Sequence, residues 1–390
     1  MMDIFKESSK TTVENFRNAS IKGEFIDAKK FYGAFAMDVI ASSAFSTKLD
    51  SHNDPENKFV RLARKVMADS ISWKHVLVLV YPPLLKWFKI DFFPTEVSAF
   101  FKKLTLDIIE ERTKTGETKN DLLQLLLDTA KEVEDHLVLE LPETPAELED
   151  IAFNYGTHED IHPRILKSVM SKSLSMDELV ANSINFFLSG YDPATNTLSF
   201  ASYFLALNPD KQEKLRSEVD EVLKEHNGEL TYEAVLNMKY LDNVISETLR
   251  MYPPVMRLER TADSDHKLGD TGITIPKGMV VSIPIYAIQR DPNIFPNPDT
   301  FQPERFDSDD MATRHPFTYL PFGGGPRNCI AMRFALMEVK VCLAHVIAHF
   351  NIKACPETKI PLEFGKGQVI LRPQGIVLQM ETRSDASFIM

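Results

Sequence analysis

A run of three glycines at residues 323–325 is followed by Pro326 and, shortly afterwards, by Cys329, where an apolar helical pattern begins. Glycines let the backbone turn tightly and approach a flat ligand closely. A cysteine at the start of a helix has its thiolate favoured by the helix dipole and by free backbone N–H groups, which can also tune a metal-bound sulfur. Arg327, two residues earlier, can reach a carboxylate of the same ligand. The pattern predicts a thiolate site for a flat ligand, and an inert cysteine after a glycine-rich turn is the alternative.

Charge and cysteine usage exclude several classes of protein. The formal net charge is −12, which argues against nucleic acid as a partner. Cys329, Cys342 and Cys355 form no CxxC pair and leave an odd thiol, so no disulfide framework is expected. This usage suits a reducing compartment such as the cytosol or the cytosolic face of a membrane.

A short apolar segment over residues 76–88 ends in Trp87 and Phe88 and contains Pro82 and Pro83. It is too short and too interrupted for the run of about 20 apolar residues that a spanning helix needs. Two interpretations stay open for it: a peripheral contact with a membrane surface, or a buried segment of the core.

The longest predicted element is a helix over residues 176–207, which is apolar almost all round and should therefore run through the core. Gly190 and Pro193 interrupt its pattern at one place. Asn208 suits the cap and Pro209 the first turn of a second, charged helix that follows.

The rest of the pattern predicts a mainly α protein with a small β region. A further helix is expected over residues 240–251 and a last one from near Cys329 to His349. Between them the period changes to 2, and residues 273–275 and 279–283 read as strands on either side of a Pro-Lys-Gly turn. Residues 131–175 are acidic and irregular, and we expect a mobile surface insertion within one domain rather than a linker.

The residues Phe322, Gly325, Arg327 and Cys329 form the sequence Phe-x-x-Gly-x-Arg-x-Cys, which resembles the haem-binding loop of the cytochrome P450 family. This resemblance implies the mainly α, triangular P450 fold and haem b (iron protoporphyrin IX) as the cofactor. It makes Cys329 the metal ligand and a catalytic residue, with Phe322, Gly325, Arg327 and Ala331 around the cofactor. Ala331 stands where the family's loop usually has glycine.

Two more motifs occur in the family's order. Glu247-Thr248-Leu249-Arg250 resembles its Glu-x-x-Arg motif, and Pro303-Glu304-Arg305-Phe306 resembles the segment that supplies a second arginine. The resemblance implies that Glu247, Arg250 and Arg305 form a buried, structural charge network behind the haem loop. Taken alone, a Glu and an Arg three residues apart on a helix would be a solvated surface pair.

Two stretches of sequence before the haem loop indicate which class of substrate the protein takes. Residues 256–260 and 275–278 are similar to the liver-type steroid- and drug-oxidising monooxygenases. This match implies that Arg260 pairs with a haem propionate. It also implies an apolar lipid, steroid or xenobiotic substrate, whose pocket is shaped by Leu188, Ser189, Pro254 and Val255.

Other stretches, residues 195–201, 315–321 and 354–358, look closer to thromboxane-A synthase. Monooxygenases of the family usually carry an acid followed by threonine in the central helix, and here Asp192 is followed by Pro193. The resemblance implies that Asp192 takes part in proton delivery to iron-bound oxygen. Two interpretations of the missing hydroxyl stay open: Thr195, Thr197 or a water molecule replaces it, or the enzyme is an isomerase that rearranges a prostaglandin endoperoxide without O2 or NADPH.

The resemblance also bears on completeness and partners. Family members are longer, and this chain is expected to be one P450 domain over residues 1–390 that lacks its N-terminal part. A monooxygenase would take electrons from NADPH-cytochrome P450 reductase at the cytosolic face of the endoplasmic reticulum membrane. A truncated, non-catalytic haem-binding protein is a third possibility.

Overall fold

The computed structural model describes residues 1–68, 95–135, 174–307, 314–365 and 370–385. The apolar segment at residues 76–88 lies outside the described residues, and so does most of the predicted insertion at 131–175.

Helices dominate the described residues, and a few short strands accompany them, so the prediction of a mainly α fold with a small β region is confirmed. In chain order the helices are α1 (Met2–Ile21), α2 (Ala28–Phe45), α3 (Lys58–Ala68), α4 (Thr95–Thr115), α5 (Leu122–Asp135), α6 (Met176–Leu207), α7 (Pro209–Glu225), α8 (Tyr232–Leu236), α9 (Lys239–Met251), α10 (Ile285–Ile288) and α11 (Met332–His349). Among them, no helix is long and apolar enough to cross a bilayer.

The strands form three small antiparallel sheets. They are β1 (Ile26–Asp27), β2 (Leu258–Thr261), β3 (His266–Lys267), β4 (Thr274–Ile275), β5 (Val280–Ile283), β6 (Phe350–Ala354) and β7 (Val377–Thr382). Sheet order is β1-β7-β6, β2-β5 and β3-β4. The two strands expected around the Pro-Lys-Gly turn are β4 and β5, and each pairs with an earlier strand rather than with the other.

Helix α6 forms the centre of the core. It begins with a capping box, in which the Ser175 side chain accepts from Glu178 N–H while the Glu178 carboxylate accepts from Ser175. Its C-terminal half is buried on all sides and packs against α2, where the Tyr32 and Ser202 hydroxyls lie 2.7 Å apart. The helix continues through Pro193 without a break.

The boundary between α6 and α7 differs from the sequence expectation in one contact. Asn208 occupies the predicted cap position, but its side chain donates to the carbonyl of Phe204 at 2.8 Å instead of capping α7. Helix α7 is fastened to β6 by Gln212, whose amide exchanges two hydrogen bonds of 2.8 Å and 2.7 Å with the backbone of Ile352. These contacts hold α6, α7 and β6 together in the core.

Candidate functional site

The glycine-rich loop folds into a closed turn that ends at Cys329. Gly323 and Gly325 both have φ +74°, a conformation that residues with a Cβ rarely adopt. The backbone N–H of Cys329 donates to the carbonyl of Phe322 at 2.8 Å, and that of Asn328 donates to Gly325 at 3.0 Å. The loop therefore presents Cys329 three residues before α11 begins.

Cys329 is an exposed residue, although its thiol group is partly desolvated. Desolvation by the loop raises the pKa of the Cys329 thiol, and the backbone N–H of Ala331, which donates to the sulfur, opposes that rise. Because desolvation dominates, thiolate needs a further positive charge, and a coordinated metal ion supplies one. The Ala331 N–H is the type of donor that tunes a metal-bound sulfur.

The surroundings of the loop suit a flat, apolar ring with acidic substituents. Arg260, on β2, donates to the backbone carbonyl of Arg327 at 3.5 Å, so its guanidinium lies against the loop at Arg327, and both predicted propionate-binding residues are exposed. Ile330 is 85% exposed and Phe317 is 64% exposed, which leaves apolar surface uncovered next to Cys329. A Cβ at Gly323 would lie 3.3 Å from Leu258 Cδ1, so a larger residue would crowd this turn. The residues present therefore fit haem b.

A buried charge network lies behind this loop. Glu247 and Arg250 on α9 are both 0% exposed, and Arg305 is 5% exposed. The Glu247 carboxylate accepts from Arg250, from Arg305 Nε at 3.3 Å and from the backbone N–H of Gln302 at 2.9 Å. The structure thus brings together the three residues that the family motifs single out.

Gln289 is a residue that sequence reasoning missed. It is 0% exposed; its carbonyl accepts from Arg250 Nη1 at 2.9 Å, and its Oε1 accepts from the backbone N–H of Leu320 at 2.9 Å. Leu320 lies two residues before Phe322, so Gln289 connects the charge network to the haem loop. Nothing in its local sequence indicates this role, because both partners are distant in the chain.

One face of the N-terminal half of α6 is open. Ala181, Asn185 and Ser189 recur every four residues and are exposed, and Leu188 and Pro193 are partly exposed. Residues at this spacing share one helix face. The predicted pocket residues Leu188 and Ser189 are therefore available to a ligand.

The threonine hydroxyls near Pro193 are occupied. Thr195 donates to the carbonyl of Tyr191 at 2.8 Å, and Thr197 donates to that of Pro193 at 2.7 Å. Both side chains are buried, so neither replaces the absent threonine on the open face of α6.

Asp192 lies away from this open face. It is 2% exposed, and its carboxylate forms an ion pair with the guanidinium of Arg372 near the C-terminus. Burial raises the pKa of Asp192 above its ordinary value, although the charges of Arg372 and Lys29 favour the carboxylate. Its part in proton delivery stays a prediction. Arg372 was not identified from the sequence, since 180 positions separate the partners.

The other two predicted pocket residues, Pro254 and Val255, follow α9 and are partly exposed. The Pro254 carbonyl accepts from the backbone N–H of Leu371 at 3.0 Å, and Val255 forms an antiparallel bridge with Ile370. The C-terminal segment that carries Arg372 therefore also borders the predicted substrate side.

Comparisons with known proteins agree with this arrangement. The family model described as Cytochrome P450 matches residues 1–380. Cytochrome P450 3A12 of the dog (Canis lupus familiaris) is 36% identical over 98% of this chain and 70% of the relative. Cytochrome P450 3A13 of the mouse (Mus musculus) is 36% identical over 99% of the chain and 71% of the relative, and human cytochrome P450 3A7 is 36% identical over 99% and 70%. The chain belongs to the cytochrome P450 family of monooxygenases, whose members carry haem b on a cysteine thiolate.

Proposed function

We propose that this protein binds haem b through Cys329 and inserts oxygen from O2 into an apolar lipid, steroid or xenobiotic substrate. The observation that carries the proposal is the closed glycine turn, which presents Cys329 as an exposed residue two positions after Arg327, whose backbone Arg260 contacts. Bound haem supplies a thiolate-ligated iron centre for oxidation, which the side chains of the protein cannot provide themselves.

The residues around the thiol have separate tasks in this proposal. Arg260 and Arg327 hold the two propionates as charge-assisted partners. The N–H of Ala331 donates to the sulfur. Gly325 and the partly exposed Phe322 allow the ring to approach the loop closely.

The substrate side lies on two elements. Leu188 and Ser189 lie on the open half of α6, and Pro254 and Val255 lie on the segment after α9. A pocket lined mainly by apolar groups takes an apolar ligand, and the few polar groups orient it. The similarity to cytochrome P450 3A proteins supports this substrate class.

Partners and location follow from the monooxygenase activity. Electrons come from NADPH-cytochrome P450 reductase, and the protein works at the cytosolic face of the endoplasmic reticulum membrane with a peripheral membrane contact. The net charge of −12 agrees with the proposal that nucleic acid is not a partner.

One observation favours a second candidate, a thromboxane-A-synthase-like isomerase acting on a prostaglandin endoperoxide. Pro193 has no hydroxyl, and the hydroxyls of Thr195 and Thr197 are held by backbone carbonyls. A substrate that already contains an O–O bond needs no proton delivery to O2, so the missing hydroxyl would cost such an enzyme nothing.

The test begins with purified, haem-loaded protein. The carbon monoxide difference spectrum of the reduced protein should show the thiolate-type Soret shift, and Cys329→Ser should lose it. Cys355→Ser is the matched control, because this half-buried cysteine lies in a turn after β6 and should keep the shift. If the unmodified protein shows no thiolate-type shift, the proposal is overturned in favour of a non-catalytic protein.

Activity then separates the two reactions. Oxidation of a steroid such as testosterone that requires both NADPH with reductase and O2 supports the monooxygenase. Turnover of a prostaglandin endoperoxide in the absence of NADPH and O2, without any steroid oxidation, rejects it in favour of the isomerase.

A further inference from the structure

The ion pair between Asp192 and Arg372 joins the middle of α6 to the C-terminal segment. Asp192 is 2% exposed, and the Arg372 side chain is 14% exposed. Lys29, the second residue of α2, adds a second positive charge near the carboxylate. A buried carboxylate that loses its cation is left uncompensated, so either partner alone is costly to remove.

Arg372 belongs to a pair of short, antiparallel segments. Its carbonyl accepts from the N–H of Gly365 at 3.1 Å, and Phe364 forms a bridge with Pro373. The N–H of Gln374 donates to Glu363 at 2.9 Å. Backbone hydrogen bonds therefore hold segments 363–365 and 370–374 to each other.

These paired segments contact α6 at a second point. The ring of Phe364 lies 6.2 Å from that of Phe200 and 5.2 Å from that of Tyr252. Asp192 and Phe200 are eight residues apart, which is about 12 Å along a helix at about 1.5 Å per residue. Two attachments this far apart fix both the position and the direction of the segments on α6.

The same segments also hold the other side of the candidate pocket. Leu371, adjacent to Arg372, donates to Pro254, and Ile370 bridges to Val255. Ser189, on the open face of α6, is three residues before Asp192. One predicted wall of the pocket lies on α6, and the other is formed by Pro254 and Val255. The ion pair connects these two walls, because Arg372 binds Asp192 on α6 and its neighbours Leu371 and Ile370 bind the backbone of Pro254 and Val255.

We propose that Asp192 and Arg372 are positioning residues that set the separation between α6 and the Pro254–Val255 wall, and so select ligands by width. This inference rests on the proposed haem pocket. Neither side chain needs to touch the substrate. Asp192 acts through Arg372, and Arg372 acts through the backbone of Leu371 and Ile370.

The test compares Arg372→Gln, Asp192→Asn and the charge-exchanged protein Asp192→Arg/Arg372→Asp. Arg112→Gln is the matched control, since Arg112 and Asp121 form another buried ion pair, between α4 and the residue before α5. The first measurement is spectral titration of haem-loaded protein with imidazole and with the much wider azole miconazole. The second is amide hydrogen exchange of the peptide that contains Leu371, which does not require bound haem.

The expected result is a change of about tenfold in the ratio of the miconazole and imidazole Kd values for both single variants, at least partly reversed in the charge-exchanged protein. Exchange at Leu371 should be faster in the single variants. Arg112→Gln should lower stability without moving either readout.

An unchanged Kd ratio in Arg372→Gln, relative to Arg112→Gln, overturns the selection of ligands by width. Unchanged exchange at Leu371 overturns the coupling between the walls. If the unmodified protein bound no haem, the proposed function would fail, and the exchange measurement would still decide whether the ion pair holds the two walls together.

Discussion

The guanidinium of Arg250 forms two parallel hydrogen bonds with the carboxylate of Glu247, at 2.6 Å from Nε and 2.8 Å from Nη2, and neither residue has exposed surface. Planar pairing of this kind is among the strongest hydrogen-bonded arrangements in proteins. Arg305 shares the same carboxylate, so a single anion balances two buried cations.

Replacing Glu247 by alanine should therefore leave two guanidinium groups without their carboxylate. We expect a loss of roughly 3–5 kcal/mol in the free energy of unfolding and little haem-loaded protein. The ratio of Soret to protein absorbance and urea denaturation check this. Glu96→Ala is the control, because its ion pair with Lys65 is exposed and should contribute little to stability. Normal haem loading of Glu247→Ala would refute the prediction.

Gln289→Leu should lower stability by about 1–3 kcal/mol, because the half-buried N–H of Leu320 loses its acceptor and the buried carbonyls of Leu249 and Arg250 lose a donor. We also expect weaker haem retention, since Leu320 leads into the haem loop. Urea denaturation and transfer of haem to apomyoglobin measure the two effects. Gln302→Leu serves for comparison, because the Gln302 side chain is exposed and only its backbone joins the network. Equal effects of the two variants would contradict the proposed link.

Glu338 on α11 is a buried acid that should weaken the fold at neutral pH. It is 2% exposed, burial raises its pKa well above the ordinary value, and its Oε1 has no hydrogen-bond partner among the described residues. The unfolded chain loses this proton near pH 4.5, whereas the folded protein keeps it to higher pH, so stability falls as the pH rises above 4.5.

Glu338→Gln should consequently raise the free energy of unfolding at pH 7 by about 1–3 kcal/mol and change it little at pH 4. Urea denaturation at both pH values tests this. A gain of equal size at both would show that the effect does not come from ionisation.

His345 gives the opposite pH dependence. Burial lowers the pKa of His345 from 6.5 to about 4. Between pH 6.5 and pH 4 the histidine is therefore protonated in the unfolded chain and neutral in the folded protein. Its contribution to stability is present above about pH 6.5 and is lost as the pH falls towards 4. His345→Gln keeps a donor for the Val341 carbonyl, which lies 2.8 Å from Nδ1 of His345. The variant should therefore lose less of its free energy of unfolding as the pH falls below about 6.5. An unchanged difference in stability between pH 7.5 and pH 5 would disprove the role of this histidine.

The sequence predicted those features that depend on local pattern. The central helix, the helix before Pro253 and the glycine turn at Cys329 all follow from periodicity or from glycine chemistry over a few residues. Long-range partners were not predictable in this way. Arg372 pairs with a residue 180 positions away. Strand β4 pairs with β3 and strand β5 pairs with β2, although β4 and β5 are neighbours in the sequence. These long-range pairings depend on which surfaces come into contact once the helices have packed.

The exposed position of Cys329 also matters for the protein before it acquires its cofactor. Cys342 is buried and Cys355 only partly exposed, so in the cofactor-free chain Cys329 is the cysteine most open to alkylation, to oxidation or to cross-linking with a second molecule. Occupation by iron would shield its sulfur atom. A chain whose Cys329 sulfur had reacted in one of these ways could no longer offer that thiolate to iron.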